Sequence, residues 1–92
     1  MKILREAVAG SLESSDIMVT VSPADSGVTI GLTSTVEQYY GESIRATMAQ
    51  VLAELGVENA TVEAVDHGAL DCTIRARLTT AVRRAGKEVE AK

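Results

Sequence analysis

Hydrophobic and polar residues alternate with a period of two in several parts of the chain, at residues 17–22, 28–33, 60–65 and 70–74. This period is typical of β-strands, whose successive side chains point to opposite faces of a sheet. Pro23 and the Asp25-Ser26-Gly27 turn separate the first two segments, so we predict an antiparallel hairpin there. Asp66-His67-Gly68 offers a tight turn between the last two, which predicts a second hairpin.

A helical period follows each predicted hairpin. Apolar residues recur at helical spacing over residues 36–55, and Gly56 suits a left-handed cap at the end of this helix. Ser34-Thr35-Val36-Glu37 fits a capping box, so we expect Ser34 to be the N-cap. A second apolar stripe predicts a helix from about residue 74 to Gly86. That stripe consists of Ile74, Leu78, Ala81, Val82 and Ala85.

The predicted elements therefore occur in the order β-β-α-β-β-α. Packing both helices on one side of the sheet is the simplest way to bury one face of each element. We predict an α+β fold, a two-layer sandwich with an antiparallel sheet and two helices on one face. The 92 residues form one domain, with an N-terminal segment at residues 1–15 and a charged, frayed tail at residues 87–92.

Composition excludes several classes of function. The formal net charge is −4, whereas a protein that binds nucleic acid needs a basic surface. The chain has a single cysteine, so no intrachain disulfide can form, which agrees with a reducing cytoplasm. No apolar run approaches the roughly 20 residues that span a bilayer, and the N-terminus lacks the apolar core of a signal peptide. We expect a cytoplasmic protein without nucleic-acid or membrane partners.

The chain offers no metal constellation, because it has only one cysteine and one histidine. Cys72 alternates with Leu70 and Ile74 on an apolar face, which predicts a buried thiol that behaves as a small hydrophobe rather than an acyl acceptor. His67, beside Gly68 in a turn, is expected to be a solvated loop residue. A basic cluster in the C-terminal third serves either ion pairing and solubility or docking onto acidic partners. It consists of Arg75, Arg77, Arg83 and Arg84.

Candidate chemistry lies just before the first predicted strand, in the segment Leu12-Glu13-Ser14-Ser15-Asp16. A serine at such a junction is exposed and fixed on one side by the strand, so another protein can reach and modify it. Serine and aspartate clusters are also ordinary turn formers. A serine hydroxyl needs an adjacent base, and Glu13 and Asp16 would repel a polyphosphate donor. Activation therefore has to come from a separate transferase.

This segment, behind Ala7-Val8-Ala9-Gly10, resembles the cofactor-attachment segment of the citrate lyase acyl carrier proteins. The block Gly68-Ala69-Leu70-Asp71-Cys72-Thr73-Ile74-Arg75-Ala76-Arg77-Leu78 is also similar to that family, and the similarity covers nearly the whole chain. The resemblance implies a covalently bound phosphoribosyl-dephospho-coenzyme A arm, joined by a phosphodiester to the serine of the Leu-Glu-Ser motif. That register assigns the arm to Ser14, with Ser15 as the alternative.

The resemblance further implies a non-catalytic carrier that presents a thioester to two partners in turn. The citrate lyase alpha subunit exchanges the bound acetyl group for citrate, and the beta subunit cleaves the citryl thioester. A prosthetic-group transferase is the third partner. Two other interpretations stay open at this point: a carrier of a malonate decarboxylase-type complex, and a small regulatory or ligand-binding α+β module. The block that begins at Gly68 favours citrate lyase.

Overall fold

The computed structural model describes residues 1–87, apart from the side chains of residues 37, 38 and 87. The strands and helices of this part follow in chain order. They are β1 (Lys2–Ile3), β2 (Ala7–Gly10), β3 (Ile17–Ser22), β4 (Val28–Ser34), α1 (Glu37–Glu54), β5 (Ala60–Asp66), α2 (Asp71–Ala85) and β6 (Gly86–Lys87).

The main sheet is mixed, with the strand order β2-β3-β5-β4. β3 pairs antiparallel with both β2 and β5, whereas β4 pairs in parallel with β5. Parallel neighbours need a long crossover connection, and α1 supplies it between β4 and β5. β1 and β6 form a separate antiparallel pair. Lys87, the first residue of the predicted tail, belongs to β6, and the rest of that tail lies outside the described residues.

The core lies between one face of the main sheet and the two helices. α2 packs across β2 and β3, α1 packs on β4, and the helices contact each other. Complete burial of an aliphatic side chain contributes about 1.5–3 kcal/mol, so this layer dominates the stability of the domain. The largest completely buried apolar residues are Ile17, Val19, Val21, Met48, Leu52, Val62, Leu78 and Val82.

The predicted α+β class, with two helices on one face of a sheet, is confirmed. The sheet is mixed rather than antiparallel, because β4 and β5 are parallel, and the two predicted hairpins are wrong. β3 and β4 are not paired, because β5 lies between them. β5 buries alternate residues along its whole length and takes a central position. β4 begins with the exposed residues Val28 and Thr29 and lies at the edge. Alternation identifies strands, but relative burial decides which strands become neighbours.

The predicted strand over residues 70–74 is also wrong, because α2 begins at Asp71. Leu70 is 70% exposed, and Cys72 lies on the exposed side of the helix rather than in the core. The predicted stripe that starts at Ile74 is buried as expected. Three apolar residues at alternate positions fit a strand and the first turn of a helix equally well, so a run this short does not distinguish them.

Ser34 does not cap α1 as the capping-box pattern predicts. It ends β4, and its hydroxyl donates to a carboxylate oxygen of Asp66 at 2.8 Å and accepts from the Val36 amide at 3.1 Å. Val36 is the N-cap residue of α1. The buried Asp66 carboxylate needs hydrogen-bond donors, and it takes the hydroxyl that the local pattern assigns to the helix.

Candidate attachment site

The two candidate serines lie in the loop of residues 11–16, which joins the antiparallel strands β2 and β3. The Asp16 amide donates to the Glu13 carbonyl at 3.2 Å and closes a four-residue turn with Ser14 and Ser15 in the middle. Ser15 has a φ of 66°, a left-handed conformation that few residues other than glycine adopt. Both serines are exposed, and neither hydroxyl has a hydrogen-bond partner within residues 1–87.

The base of this attachment loop (residues 11–16) is held by the end of β5. The Ser15 amide donates to the His67 carbonyl at 2.7 Å, and the His67 amide donates to the Asp16 carbonyl at 2.9 Å. These bonds continue the β3–β5 ladder beyond its last pair, Ile17 with Asp66. His67 is half-buried, and its main chain positions the loop.

Asp16 fixes the loop to α2 through its side chain. Arg77 donates from Nε and Nη2 to the two Asp16 carboxylate oxygens, each at 3.0 Å. The Ser11 hydroxyl donates to Oδ2 at 2.6 Å, and the Ile17 amide donates to Oδ1 at 2.7 Å. Bidentate arginine–carboxylate pairs are among the stronger and more directional polar contacts in proteins. We call Asp16, Arg77 and Ser11 the loop clamp.

The clamp keeps Asp16 ionised. The hydrogen bonds from Arg77, then from Ser11 and the Ile17 amide, hold the pKa of the Asp16 carboxyl well below its ordinary value, and desolvation opposes them only in part. Each of these donors binds the charged form better than the protonated form. The loop therefore has the same polar contacts at any pH near neutrality.

Gly10 allows the chain to enter the loop. Its φ is 96°, and a Cβ at this position would overlap the Ile17 carbonyl oxygen across the β2–β3 ladder. Only glycine combines this backbone conformation with so close an approach. The Ala7-Val8-Ala9-Gly10 segment, which the alternation did not identify as a strand, therefore forms β2 and delivers the loop.

The sequence places Asp66 in a turn and Arg77 in a basic cluster, but it does not predict how either residue organises this region. Asp66 is 1% exposed and accepts hydrogen bonds from the amides of Gly68 at 3.1 Å and Ala69 at 3.0 Å. The pattern Asp66-His67-Gly68 predicts this turn, but it does not predict the burial of the Asp66 carboxylate. Arg77 was noticed only as one residue of the basic cluster, and nothing local indicates a partner as distant in sequence as Asp16.

Comparison with known proteins places the chain in a family. Residues 4–85 match the model of an acyl carrier protein family described as the malonate decarboxylase delta subunit. The citrate lyase acyl carrier protein of Streptococcus mutans is 59% identical over 88 residues, which cover 95% of this chain and 86% of the relative. That of Lacticaseibacillus casei is 56% identical over 85 residues, which cover 92% and 84%.

The fold has a counterpart among solved structures. The chain is similar to one in the crystal structure of a Pseudomonas malonate decarboxylase hetero-tetramer in complex with malonate. The TM-score is 0.78, and the match covers 94% of this chain and 93% of that one at 18% sequence identity. A likeness at this identity shows the fold alone.

The family match and the relatives define an acyl carrier protein, a non-catalytic carrier subunit, and this class of protein implies a covalently bound prosthetic group. The chain belongs to the family of malonate decarboxylase delta subunits and citrate lyase acyl carrier proteins. The resemblance noted in the sequence is thereby confirmed. None of the helices within residues 1–87 is long and apolar enough to cross a membrane.

Proposed function

We propose that this chain is the acyl carrier subunit of a cytoplasmic citrate lyase, and that Ser14 bears its phosphoribosyl-dephospho-coenzyme A arm. One observation carries the proposal: an exposed hydroxyl without a partner lies at the tip of a loop whose base is fixed on two sides. A transferase can reach such a hydroxyl without unfolding any part of the carrier.

The backbone favours Ser14 over Ser15. Ser15 adopts the left-handed conformation that gives the turn its shape, and its amide is engaged with the His67 carbonyl. Ser14 occupies the preceding position of the turn without positive φ. An arm on Ser14 leaves Ser15, whose amide is bonded to His67, unmodified. An arm on Ser15 would have to fit beside the segment at His67 to which that residue is bonded.

Charge at the loop explains why attachment requires another enzyme. Arg77 offsets the Asp16 carboxylate, but the exposed Glu13 still opposes an incoming polyphosphate donor. No group of three or more potential metal ligands occurs within residues 1–87. The prosthetic-group transferase therefore supplies the cations that neutralise the donor, and this chain supplies the acceptor hydroxyl.

The loaded arm would carry the acyl group as a thioester between the alpha subunit, which exchanges acetyl for citrate, and the beta subunit, which cleaves the citryl thioester. Tethering raises the local concentration of the acyl group at both sites. The relatives named citrate lyase acyl carrier protein, at 56–59% identity, favour this complex over a malonate decarboxylase, whose solved chain is 18% identical.

Mass spectrometry of the carrier tests the assignment. Produced together with the enzymes that make and attach the arm, the chain should gain the mass of one phosphoribosyl-dephospho-coenzyme A group, and peptide mapping should locate it on Ser14. Ser14→Ala should gain nothing and remain folded, whereas the matched variant Ser15→Ala should still be modified. The opposite pattern would assign the arm to Ser15, and citrate cleavage with both serines replaced would reject the carrier function.

A further inference from the structure

A cleft of about 370 Å³ opens between the first turns of α1 and the segment that leads from β5 into α2. Its lining is mainly apolar, with Ser43, Thr47 and Asp71 as polar members. A cavity of this size, apolar with a few polar groups, is typical of a site for a small molecule. The apolar lining consists of Val36, Tyr40, Ile44, Ala69, Leu70 and Ile74.

The segment that follows β5 contacts both the attachment loop and the cleft. His67 is hydrogen-bonded to the loop, and the next residue, Gly68, already lines the cleft. The Cα path from Ser14 to Ala69 runs along the chain to Ser15, across the hydrogen bond to His67, and along the chain to Ala69. Three peptide steps of 3.8 Å and one interstrand step of about 5.5 Å limit the separation of Ser14 and Ala69 to about 17 Å. The arm on Ser14 would begin with the phosphoribosyl group and the nucleotide diphosphate, and the pantetheine chain follows them. The whole arm is therefore longer than its pantetheine chain, which alone spans about five extended residues, roughly 17–18 Å. An arm on Ser14 can therefore reach the cleft.

The chemistry of the cleft suits a pantetheine chain, which alternates apolar segments with two amide groups. Tyr40 is 60% exposed and Leu70 is 70% exposed, so a molecule in the cleft would cover apolar surface that water now contacts. Asp71 accepts hydrogen bonds from the Thr47 hydroxyl at 2.8 Å and from Arg75 at 3.0 Å. An ionised carboxylate has further acceptor capacity, and amide N–H groups are suitable donors.

Asp71 keeps its charge in this position. Hydrogen bonds from Thr47 and then from Arg75 lower the pKa of its carboxyl. The Asp71 carboxylate is therefore available at the edge of the cleft as an acceptor for amide N–H groups at neutral pH.

We propose that this cleft is a resting site for the prosthetic arm, which binds the pantetheine chain and its thiol or acetyl-thioester end between visits to the partner subunits. The proposal rests on the attachment of the arm to Ser14. Binding in the cleft would shield the thioester from water and would be reversed when a partner subunit takes the arm.

Nuclear magnetic resonance of the carrier with and without the acetylated arm tests the resting site. Intact mass first establishes that the arm is attached, so failure of the proposed function would be detected before any spectrum is compared. Amide signals of residues 36–47 and 68–74 should then shift, in addition to those of the loop. Shifts confined to residues 11–17 would overturn the resting site, and so would cleft shifts that vary with protein concentration, because these would mean contact between two copies.

A matched pair of variants sharpens this test. Leu70→Asp makes the cleft wall polar but preserves the fold, because position 70 is the N-cap of α2, where no side-chain cap is present and aspartate is favourable. Leu4→Asp makes the same change at a residue that is 49% exposed and outside the cleft. Cleft signals should return toward their positions in the unmodified carrier in Leu70→Asp and should keep their shifts in Leu4→Asp.

Reactivity of the arm's terminal thiol gives a second measurement. In a Cys72→Ser background, where the arm carries the only thiol, a neutral maleimide should react about fivefold faster with Leu70→Asp than with wild type, which corresponds to about 1 kcal/mol. Leu4→Asp should react at the wild-type rate. Equal rates in all three proteins would overturn the proposal.

Discussion

Two polar turns flank β3, the attachment loop before it and the turn of residues 23–27 after it, and they differ in how they are held. Both contain an exposed serine and an aspartate, and both have a glycine with positive φ at one end, 96° at Gly10 and 79° at Gly27. In the second turn, the Gly27 amide donates to the Asn59 side chain at 2.8 Å, and the Gly27 carbonyl accepts from the Ala60 amide at 3.0 Å.

In the attachment loop, by contrast, the aspartate itself is engaged. Asp16 is bonded to Arg77 on a helix, and the neighbouring main chain is bonded to β5, whereas Asp25 is exposed. Exposure of a serine is therefore common to both turns and does not identify an attachment site. The candidate loop differs in that the side chain of its aspartate is bonded to a helix, and we expect this contact to hold the candidate hydroxyl in place for a transferase.

The two glycines should respond most differently to replacement. Gly10→Ala should destabilise the domain by about 2–5 kcal/mol, because the left-handed conformation costs about 1–2 kcal/mol and the overlap with the Ile17 carbonyl adds about 1–3. Gly27→Ala should cost only about 1–2 kcal/mol, since a Cβ there meets nothing within 4 Å. Urea denaturation measures both, and equal losses would mean that β2 and β3 separate easily at the loop.

Removal of the clamp should have the second largest effect, which we expect to see as a slower rate of arm attachment. Arg77→Met removes both donors to Asp16 but leaves the Ser14 hydroxyl intact, so attachment by a purified transferase should slow by about tenfold because the acceptor is less well aligned. Arg77→Lys should be intermediate, since lysine cannot form the bidentate pair.

Arg83→Met is the matched control for the clamp, because Arg83 is exposed on the same helix. A mass-spectrometric time course of modification measures all the variants. Attachment to Arg77→Met at the wild-type rate would show that the loop tip does not depend on its base.

The next prediction compares the loss of two serine hydroxyls, that of Ser34, which is bonded to Asp66, and that of Ser26, which is in the exposed second turn. Ser34→Ala should lower the free energy of unfolding by about 1–2 kcal/mol, because it removes a hydrogen bond to the buried Asp66 carboxylate. Ser26→Ala, in the second turn, should change it by less than about 0.5 kcal/mol. Chemical denaturation of the two variants distinguishes these outcomes, and a neutral Ser34→Ala would mean that Gly68 and Ala69 satisfy Asp66 on their own.

The parts of the fold that the sequence predicted are those that depend on local periodicity. The apolar alternation of Ile17, Val19 and Val21 and the stripe of α2 each describe one element and the face it buries, and both are present. The insertion of β5 between β3 and β4 depends on which strand buries more surface, and no short window of sequence contains that information. Ser34 was assigned to a helix cap because its actual partner, Asp66, is remote in sequence.

The candidate attachment site was likewise predictable only in its local features. An exposed serine beside carboxylates was predictable from turn chemistry, and the Leu-Glu-Ser register came from family resemblance. The clamp was not predictable, because Asp16 and Arg77 come together only when α2 packs across β2 and β3. The sequence therefore predicts a candidate acceptor hydroxyl but not the groups that hold its loop.

The smallest expected effect is a change of stability with pH, and it tests the contribution of the clamp by itself. The folded-state pKa of Asp16 is depressed, so its ionic contacts stabilise the domain above the unfolded pKa of about 3.9, and this contribution is lost as the pH falls below that value toward the folded pKa. The difference in urea midpoint between wild type and Asp16→Asn should be constant from pH 8 to about pH 5 and should shrink below about pH 4. Asp25→Asn, in the exposed second turn, is the matched control for the loss of a carboxylate. A difference between wild type and Asp16→Asn that persists unchanged in acid would mean that the clamp acts through its shape rather than through the charge of its carboxylate.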